Sequence, residues 1–190
     1  MIYTERIQRA IRFSLKTHEV YQKQKRKGKD IPYVMHPFTV GLILARAGAS
    51  EDVIIAGILH DTIEDSVTEK KVTKAMIAER FGENVANIVD SVTEQNKSLS
   101  WQERKDGALV NIASFSHDSL LVKSADLIGN ASEILEDYAH EGRAIFDRFN
   151  GGDKMIHHYI QAMNAVMERW LNNPLLSDLA HLAASLSVIT

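Results

Sequence analysis

The sequence contains no cysteine. Disulfides and thiolate chemistry are therefore excluded, and any metal site has to be built from His, Asp or Glu. The same absence suits a reducing compartment, and the cytoplasm is the expected location. Glycine and proline are scarce, 10 and 3 residues of 190, and no tract is of low complexity, so a disordered or loop-dominated chain is not expected. No apolar run approaches the roughly 20 residues that span a bilayer. The opening MIYTERIQRAIRF scatters charges through its apolar positions and lacks the core of a signal peptide. A membrane role is accordingly not expected. An excess of positive charge is also lacking. Net charge is −3 with the histidines neutral, so there is no global field for nucleic acid and any anion site must be local. What the chain does have is apolar side chains, 45% of its residues, enough for one sizeable core. The expectation is a single domain over residues 1–190, with a core at about 1–171 and a C-terminal packing helix at 174–190.

Helical periodicity dominates. Ile7, Ala10, Ile11 and Ser14 recur at spacings of three and four, the mark of an amphipathic first helix. A basic, glycine-containing loop follows, and Pro32 and Pro37 frame an extended stretch before a second helix. Ser50, followed by Glu51 and Asp52, is an N-cap signal for a third helix that runs through AGILHDTIED. Further helices are expected from Thr68 to Phe81, Glu83 to Val92, Ser100 to Phe115, Ser119 to Leu135 and Asp153 to Leu171. Ser119 to Lys123 could by composition be a short strand, though a buried helix explains it equally well. Leu175, Leu179, Leu182 and Leu186 repeat at helical spacing, so the tail packs on the bundle or on a second subunit of a homo-oligomer.

The positions that carry chemistry are His36, the adjacent His60 and Asp61, and Asp126. His60 and Asp61 end an apolar helix, where neighbouring ionisable groups are costly unless something pairs with them. A metal would supply that partner; a histidine satisfied by the backbone beside a capping aspartate is the plainer alternative. Glu64 and Asp65 follow four residues after His60 and Asp61, one helical turn on if the helix continues. Three carboxylates that close repel one another unless a cation compensates, although an acidic solvated helix end accounts for Glu64 and Asp65 as well. Asp126 lies in the apolar LLVKSADLIGN, so burial demands a partner, with Lys123 or a metal as candidates. Lys23, Lys25, Arg26, Lys27 and Lys29 form a short basic run upstream of His36. Three of the five suit a solvated loop, and the others suit a polyphosphate clamp. The run is too short, and too bare of aromatics, for a nucleic-acid interface. Arg104, near the expected helix start at Trp101, is a further candidate substrate contact. His18, His117, His140, His157, His158 and His181 are expected to be surface or core residues without a role in the site.

Four ordered stretches, QKRKGKDIPYVMHP, AGILHDTIEDS, FGENVANIVDSVTE and LLVKSADLIGN, resemble the HD-domain phosphohydrolases. Within them the chain is similar to the hydrolase half of the RelA/SpoT alarmone enzymes and the stand-alone small alarmone hydrolases, over roughly residues 1–135. The resemblance implies an all-α HD-domain helical bundle around a single metal site. It implies metal ligation by His36, His60, Asp61 and Asp126, action on the attacking water by Glu64 and Asp65, and nucleotide binding by Arg26 and Lys27. Asn130 would be a polar residue beside the substrate. Lys154 and Tyr159 follow the Gly151-Gly152 break, where family members place substrate contacts. The chain departs from the pattern at Ser66, at Ser124, and in LIGNAS, which lacks two basic side chains that the family carries.

The implied reaction is hydrolysis of a nucleotide phosphoester, with removal of the 3′-pyrophosphate from a (p)ppGpp- or (p)ppApp-type alarmone as the substrate reading. Other expectations are a nucleoside monophosphate or cyclic nucleotide as substrate, or a module that senses a nucleotide without turnover. Two imidazoles and two carboxylates suit Mn²⁺ or a similar divalent ion better than Mg²⁺.

Overall fold

The computed structural model describes residues 3–94 and 98–189. The first two residues of the N-terminal stretch, the last residue of the expected C-terminal helix and residues 95–97 lie outside that description. The chain divides into two compact units, Met1–Gln95 and Asn96–Thr190. Both are helical. Among the described residues the only β-pairing is an isolated bridge between Lys25 and Pro32, and no helix is long and apolar enough to cross a membrane.

In the first unit, helices α1 (Glu5–Leu15), α2 (Met35–Arg46) and α6 (Glu83–Val92) pack on α3 (Glu51–Leu59), and α5 (Lys74–Phe81) packs on α6. The reason is compositional: every residue of α3 from Val53 to Leu59 is buried, so the helix has no solvent face and needs neighbours all round. Each large side chain so buried contributes about 1.5–3 kcal/mol. Two glycines set the closeness of α2 and α3. A Cβ on Gly57 would lie 2.2 Å from Leu44 Cδ1, and one on Gly41 would lie 2.7 Å from Ile58 Cγ1. Ser50 caps α3 as its sequence suggests, its hydroxyl accepting from the Val53 amide at 3.4 Å.

Three local expectations change. The stretch between Pro32 and Pro37 is a turn and not extended, and α2 already begins at Met35. The helix carrying AGILHDTIED is interrupted: α3 ends at Leu59, His60 and Asp61 form a turn, and α4 (Thr62–Asp65) begins after it. The segment from Thr68 starts as a single 3₁₀ turn, Thr68–Lys70, and the α-helix begins only at Lys74, capped by Thr73.

In the second unit, α8 (His117–Glu141) is the long element. Helices α9 (Lys154–Arg169) and α10 (Leu176–Val188) pack on it, α7 (Trp101–Ile112) packs on α9, and the 3₁₀ segment Gly142–Arg148 folds back against α8. Ser119 to Lys123 is helical. Ser100 and Glu103 close a capping box at the start of α7. Ser124, buried on α8, receives a 2.8 Å hydrogen bond from the buried Asn173 amide. Asn173 Oδ1 in turn accepts from the Leu175 amide at 2.9 Å, just ahead of α10.

Candidate functional site

The break after α3 creates the first cluster. Helix ends leave backbone carbonyls without helical partners. Here the Gly57 carbonyl accepts a hydrogen bond from His60 Nδ1 at 2.8 Å. A carbonyl can only accept, so the proton sits on Nδ1. The other nitrogen, Nε2, lies 2.9 Å from Asp61 Oδ2. In a neutral imidazole that nitrogen is an acceptor facing a second acceptor, an approach that is favourable only with a proton or a cation to serve both. Histidines that ligate metals commonly donate their remaining N–H to a backbone carbonyl, as His60 does.

His36 joins this cluster from the start of α2. Pro32 and Pro37 frame the turn in which the His36 amide donates to the Tyr33 carbonyl at 2.9 Å. Its side chain is buried, its Nε2 lies 3.9 Å from Asp61 Oδ2, and its ring centroid lies 5.2 Å from that of His60. The Tyr33 hydroxyl donates to the same Asp61 oxygen. Burial, reinforced by the Asp61 and Asp65 carboxylates, pushes Tyr33 well above the usual phenol range, so it remains a donor.

Glu64 and Asp65 sit on α4, and the Asp65 amide donates to the Asp61 carbonyl at 2.9 Å. Glu64 Oε2 accepts from the Glu94 amide at 3.3 Å, and Asp65 Oδ2 accepts from Gln24 Nε2 at 2.9 Å. The basic loop is ordered by its own backbone. The Arg26 amide donates to the Ile31 carbonyl at 2.9 Å and the Lys29 amide to the Arg26 carbonyl at 3.1 Å, with Gly28 at φ +72° supplying the left-handed turn position. Arg26 stacks its guanidinium 5.4 Å from the centroid of the Tyr33 ring. It is thereby held beside the tyrosine that touches Asp61. Lys25 pairs with Asp30 at 3.2 Å, and Lys27 is exposed.

In the second unit Asp126 lies inside α8 with its side chain 14% exposed. Both oxygens have partners on its own helix: Lys123 Nζ at 2.8 Å from Oδ2 and Asn130 Nδ2 at 2.7 Å from Oδ1. Asn130 therefore orients Asp126. Arg104 is half-buried on α7, Lys154 is exposed at the start of α9, and Tyr159 is half-buried with its ring 6.3 Å from that of His158. Trp101 packs against the backbone of Gly151, where a Cβ would come within 2.6 Å of the indole.

Three residues given no role on sequence grounds take part in the first unit's cluster: Tyr33, Gln24 and His18. His18 is fully buried, not a surface residue. Burial pushes its imidazole below the usual histidine value, against opposing contributions from Asp61, Gln24 and Asp65. The signal available for Tyr33 was its place between the two prolines before His36. For His18 there was none, because the π-helical turn that turns it inward, Lys16–Tyr21, has no recognisable sequence pattern.

The family model for the HD domain matches residues 10–154. Guanosine-3′,5′-bis(diphosphate) 3′-pyrophosphohydrolase of Aquifex aeolicus is 37% identical over 134 residues, which are 70% of this chain and 18% of that protein. Guanosine-3′,5′-bis(diphosphate) 3′-pyrophosphohydrolase MESH1 of Xenopus tropicalis is 37% identical over 119 residues, 61% of this chain and 64% of that one. The chain thus spans less than two thirds of the length of either relative. Among solved structures, a metazoan orthologue of SpoT, described as hydrolysing ppGpp, superposes with a TM-score of 0.76 over 96% of both chains at 24% identity. That likeness bears on the fold. With the family model covering most of its length, the chain belongs to the HD domain family.

Proposed function

We propose that this chain is a divalent-metal-dependent phosphohydrolase that removes the 3′-pyrophosphate from a (p)ppGpp- or (p)ppApp-type alarmone. The observation that carries the reading is the pair His60 and Asp61. With Nδ1 committed to the Gly57 carbonyl, Nε2 meets a carboxylate oxygen at 2.9 Å, a contact that a cation between the two would satisfy. In this reading His36, His60 and Asp61 hold the ion together with Asp126. His36, His60 and Asp126 each offer one ligand atom of a set that could hold a metal. The mixed nitrogen and oxygen donors favour Mn²⁺ or a similar borderline ion. When bound, such an ion lowers the pKa of water and offsets charge on phosphoryl oxygens.

The remaining work falls to the chain's own residues. Glu64 and Asp65 act on the attacking water, and one of the two accepts its proton. Tyr33 holds Asp61 in place, and Asn130 and Lys123 do the same for Asp126. Arg26 and Lys27 bind the substrate's phosphates, the guanidinium by forked hydrogen bonds and the ammonium as a point charge. Arg104, Lys154 and Tyr159 supply further substrate contacts. The names of the Aquifex aeolicus and Xenopus tropicalis relatives support the choice of alarmone. The enzyme works on a small nucleotide in the cytoplasm, without a nucleic-acid or membrane partner.

The test is a release assay. Purified protein with Mn²⁺ is given ppGpp, ppApp, nucleoside monophosphates and cyclic nucleotides, and products are separated by chromatography. Pyrophosphate release from the alarmones alone is expected. Turnover confined to a monophosphate or a cyclic nucleotide would assign a different specificity, and binding without any turnover would make the chain a sensor.

A further inference from the structure

Immediately after α1 the chain makes a π-helical turn, Lys16–Tyr21. Such turns are rare and occur frequently at functional sites. This one carries His18, whose exposure is 0%. Its Nδ1 lies 3.1 Å from Gln24 Oε1, while its Nε2 is buried without a hydrogen-bond partner. The Gln24 amide reaches onward, with Nε2 2.9 Å from Asp65 Oδ2. Backbone bonding ties the same two residues together, the Gln24 amide donating to the His18 carbonyl at 2.9 Å.

Proton bookkeeping then fixes every orientation. A carboxylate only accepts, so Gln24 must turn its NH₂ toward Asp65 and its carbonyl oxygen toward His18. The oxygen only accepts, so His18 must carry its proton on Nδ1. The bare Nε2 is buried and makes no hydrogen bond. A fully buried imidazole with one unsatisfied nitrogen is an expensive way to fill a core. Leucine would fill the same space without that cost. What a leucine could not do is select between the two orientations of the Gln24 amide. With no donor from His18, the contact with Asp65 alone holds the amide's orientation, and the flipped arrangement, with its oxygen toward Asp65, is less strongly excluded.

We propose that His18 is a positioning residue, whose Nδ1–H locks the Gln24 amide so that Gln24 holds the Asp65 carboxylate in place to act on the attacking water. The proposal rests on the role given to Asp65 under Proposed function.

Three single variants test it, each assayed for kcat, KM and thermal midpoint. His18→Leu keeps apolar bulk and loses the donor. His18→Asn loses bulk but sets an amide NH₂ near the place of Nδ1. Gln24→Met removes the relay itself. The expected result is a fall in kcat of about 10- to 100-fold for His18→Leu and Gln24→Met, the scale of losing one hydrogen bond to a charged group, with KM changed by no more than roughly twofold. His18→Asn should stay within about threefold of the wild type despite a lower thermal midpoint. A residue that merely fills the core predicts the reverse order, with leucine the better substitute, and that order overturns the proposal. The double variant His18→Leu/Gln24→Met should be no slower than Gln24→Met alone, since one residue acts through the other; additive losses would also overturn it.

A readout independent of turnover is ¹⁵N NMR of the His18 ring in the intact protein with Mg²⁺. A protonated Nδ1 and a bare Nε2 support the relay, and a proton on Nε2 overturns it whatever the enzyme hydrolyses. Asp65→Asn separates the two claims. Wild-type turnover in that variant would overturn the role of Asp65, and with it the catalytic use of the relay, while leaving the tautomer result standing.

Discussion

The first unit interrupts a helix to present its ionisable groups, whereas the second presents Asp126 from the middle of an unbroken one. At the break after Leu59, the backbone supplies what the side chains need: the Gly57 carbonyl fixes the tautomer of His60, and partners from other segments, Tyr33 and Gln24, reach Asp61 and Asp65. On α8 the partners of Asp126 are its own helical neighbours, Lys123 one turn before and Asn130 one turn after. The first arrangement depends on contacts distant in sequence and should fail sharply when one member is removed. The second includes hydrogen bonds set by local helical spacing and should weaken by degrees when one of them is removed.

The largest expected effect tests that contrast directly. His60→Ala should abolish bound metal, measured by elemental analysis of protein purified with Mn²⁺. Asn130→Ala, which removes a hydrogen bond to Asp126, should retain metal with affinity lowered by about 10- to 100-fold. Equal retention in both variants would remove the distinction and, with it, His60 from the ligand set.

Next in size are the two acids beyond the break. Glu64→Gln and Asp65→Asn should leave metal bound yet lower turnover by roughly 10²- to 10⁴-fold, the range for losing a general base. If either variant lost metal, the division between ligands and acid–base residues would have to move to include it.

The basic loop sharpens the comparison from the substrate side. Arg26 is already seated on Tyr33, whereas Lys27 is exposed. For an alarmone, Arg26→Ala should raise KM by about 10- to 150-fold with a smaller change in kcat, as expected when a charged hydrogen bond to phosphate is lost from ground state and transition state alike. Lys27→Ala should do less, and added salt should narrow its effect first. Equal and small effects on every phosphate ester would count against a polyphosphate substrate.

These contrasts also show what the sequence could and could not disclose. Local rules sufficed for the boundaries of α6, the Ser50 cap and the helix starting at Trp101, because capping and periodicity act over three or four residues. Lys123 as a partner of Asp126 was legible for the same reason, being a helical neighbour. The break at His60 and Asp61 was not, since the poorest helix former in AGILHDTIED, Gly57, lies inside α3 and not at the break. The turn is stabilised by tertiary partners such as Tyr33, 28 positions away from Asp61 in the chain. His18 was illegible because its burial follows from a π-helical turn and from Gln24 and Tyr33 packing around it.

A stability effect follows from the close approach of α2 and α3. Gly57 has Leu44 Cδ1 within 2.2 Å of any added Cβ and Val40 Cγ1 within 3.2 Å. Gly57→Ala should therefore destabilise the protein by about 1–3 kcal/mol, the usual cost of overpacking, read from urea midpoints. Because the same residue's carbonyl holds His60, metal affinity should fall with it. Lost stability with unchanged affinity would mean that the break holds its geometry without close packing behind it.

The smallest effect concerns the other end of α3, where charge rather than burial holds the helix. Arg6 pairs with Glu51 and, at 2.8 Å, with Asp52, and it donates to the Phe81 carbonyl at 2.9 Å. Glu51 lies below the usual carboxylate range chiefly because Thr4 donates to it, with Arg6 adding to the effect. For Asp52, burial works upward, but hydrogen bonds from Asn84 and Arg6 outweigh it and the net shift is downward. Acids lowered in the folded state add stability that is present above their unfolded pKa of about 4 and disappears as pH falls through the folded values. Arg6 is 39% exposed and Glu51 32%, so solvent screening keeps the contribution to roughly 0.2–1 kcal/mol. Arg6→Ala should lower the urea midpoint slightly at pH 7 and in low salt, and the gap from wild type should shrink at pH 3 and in 1 M salt, where the Debye length is about 3 Å. A gap that persisted in acid and in salt would assign the anchoring to the Phe81 hydrogen bond and would make both ends of α3 dependent on backbone carbonyls.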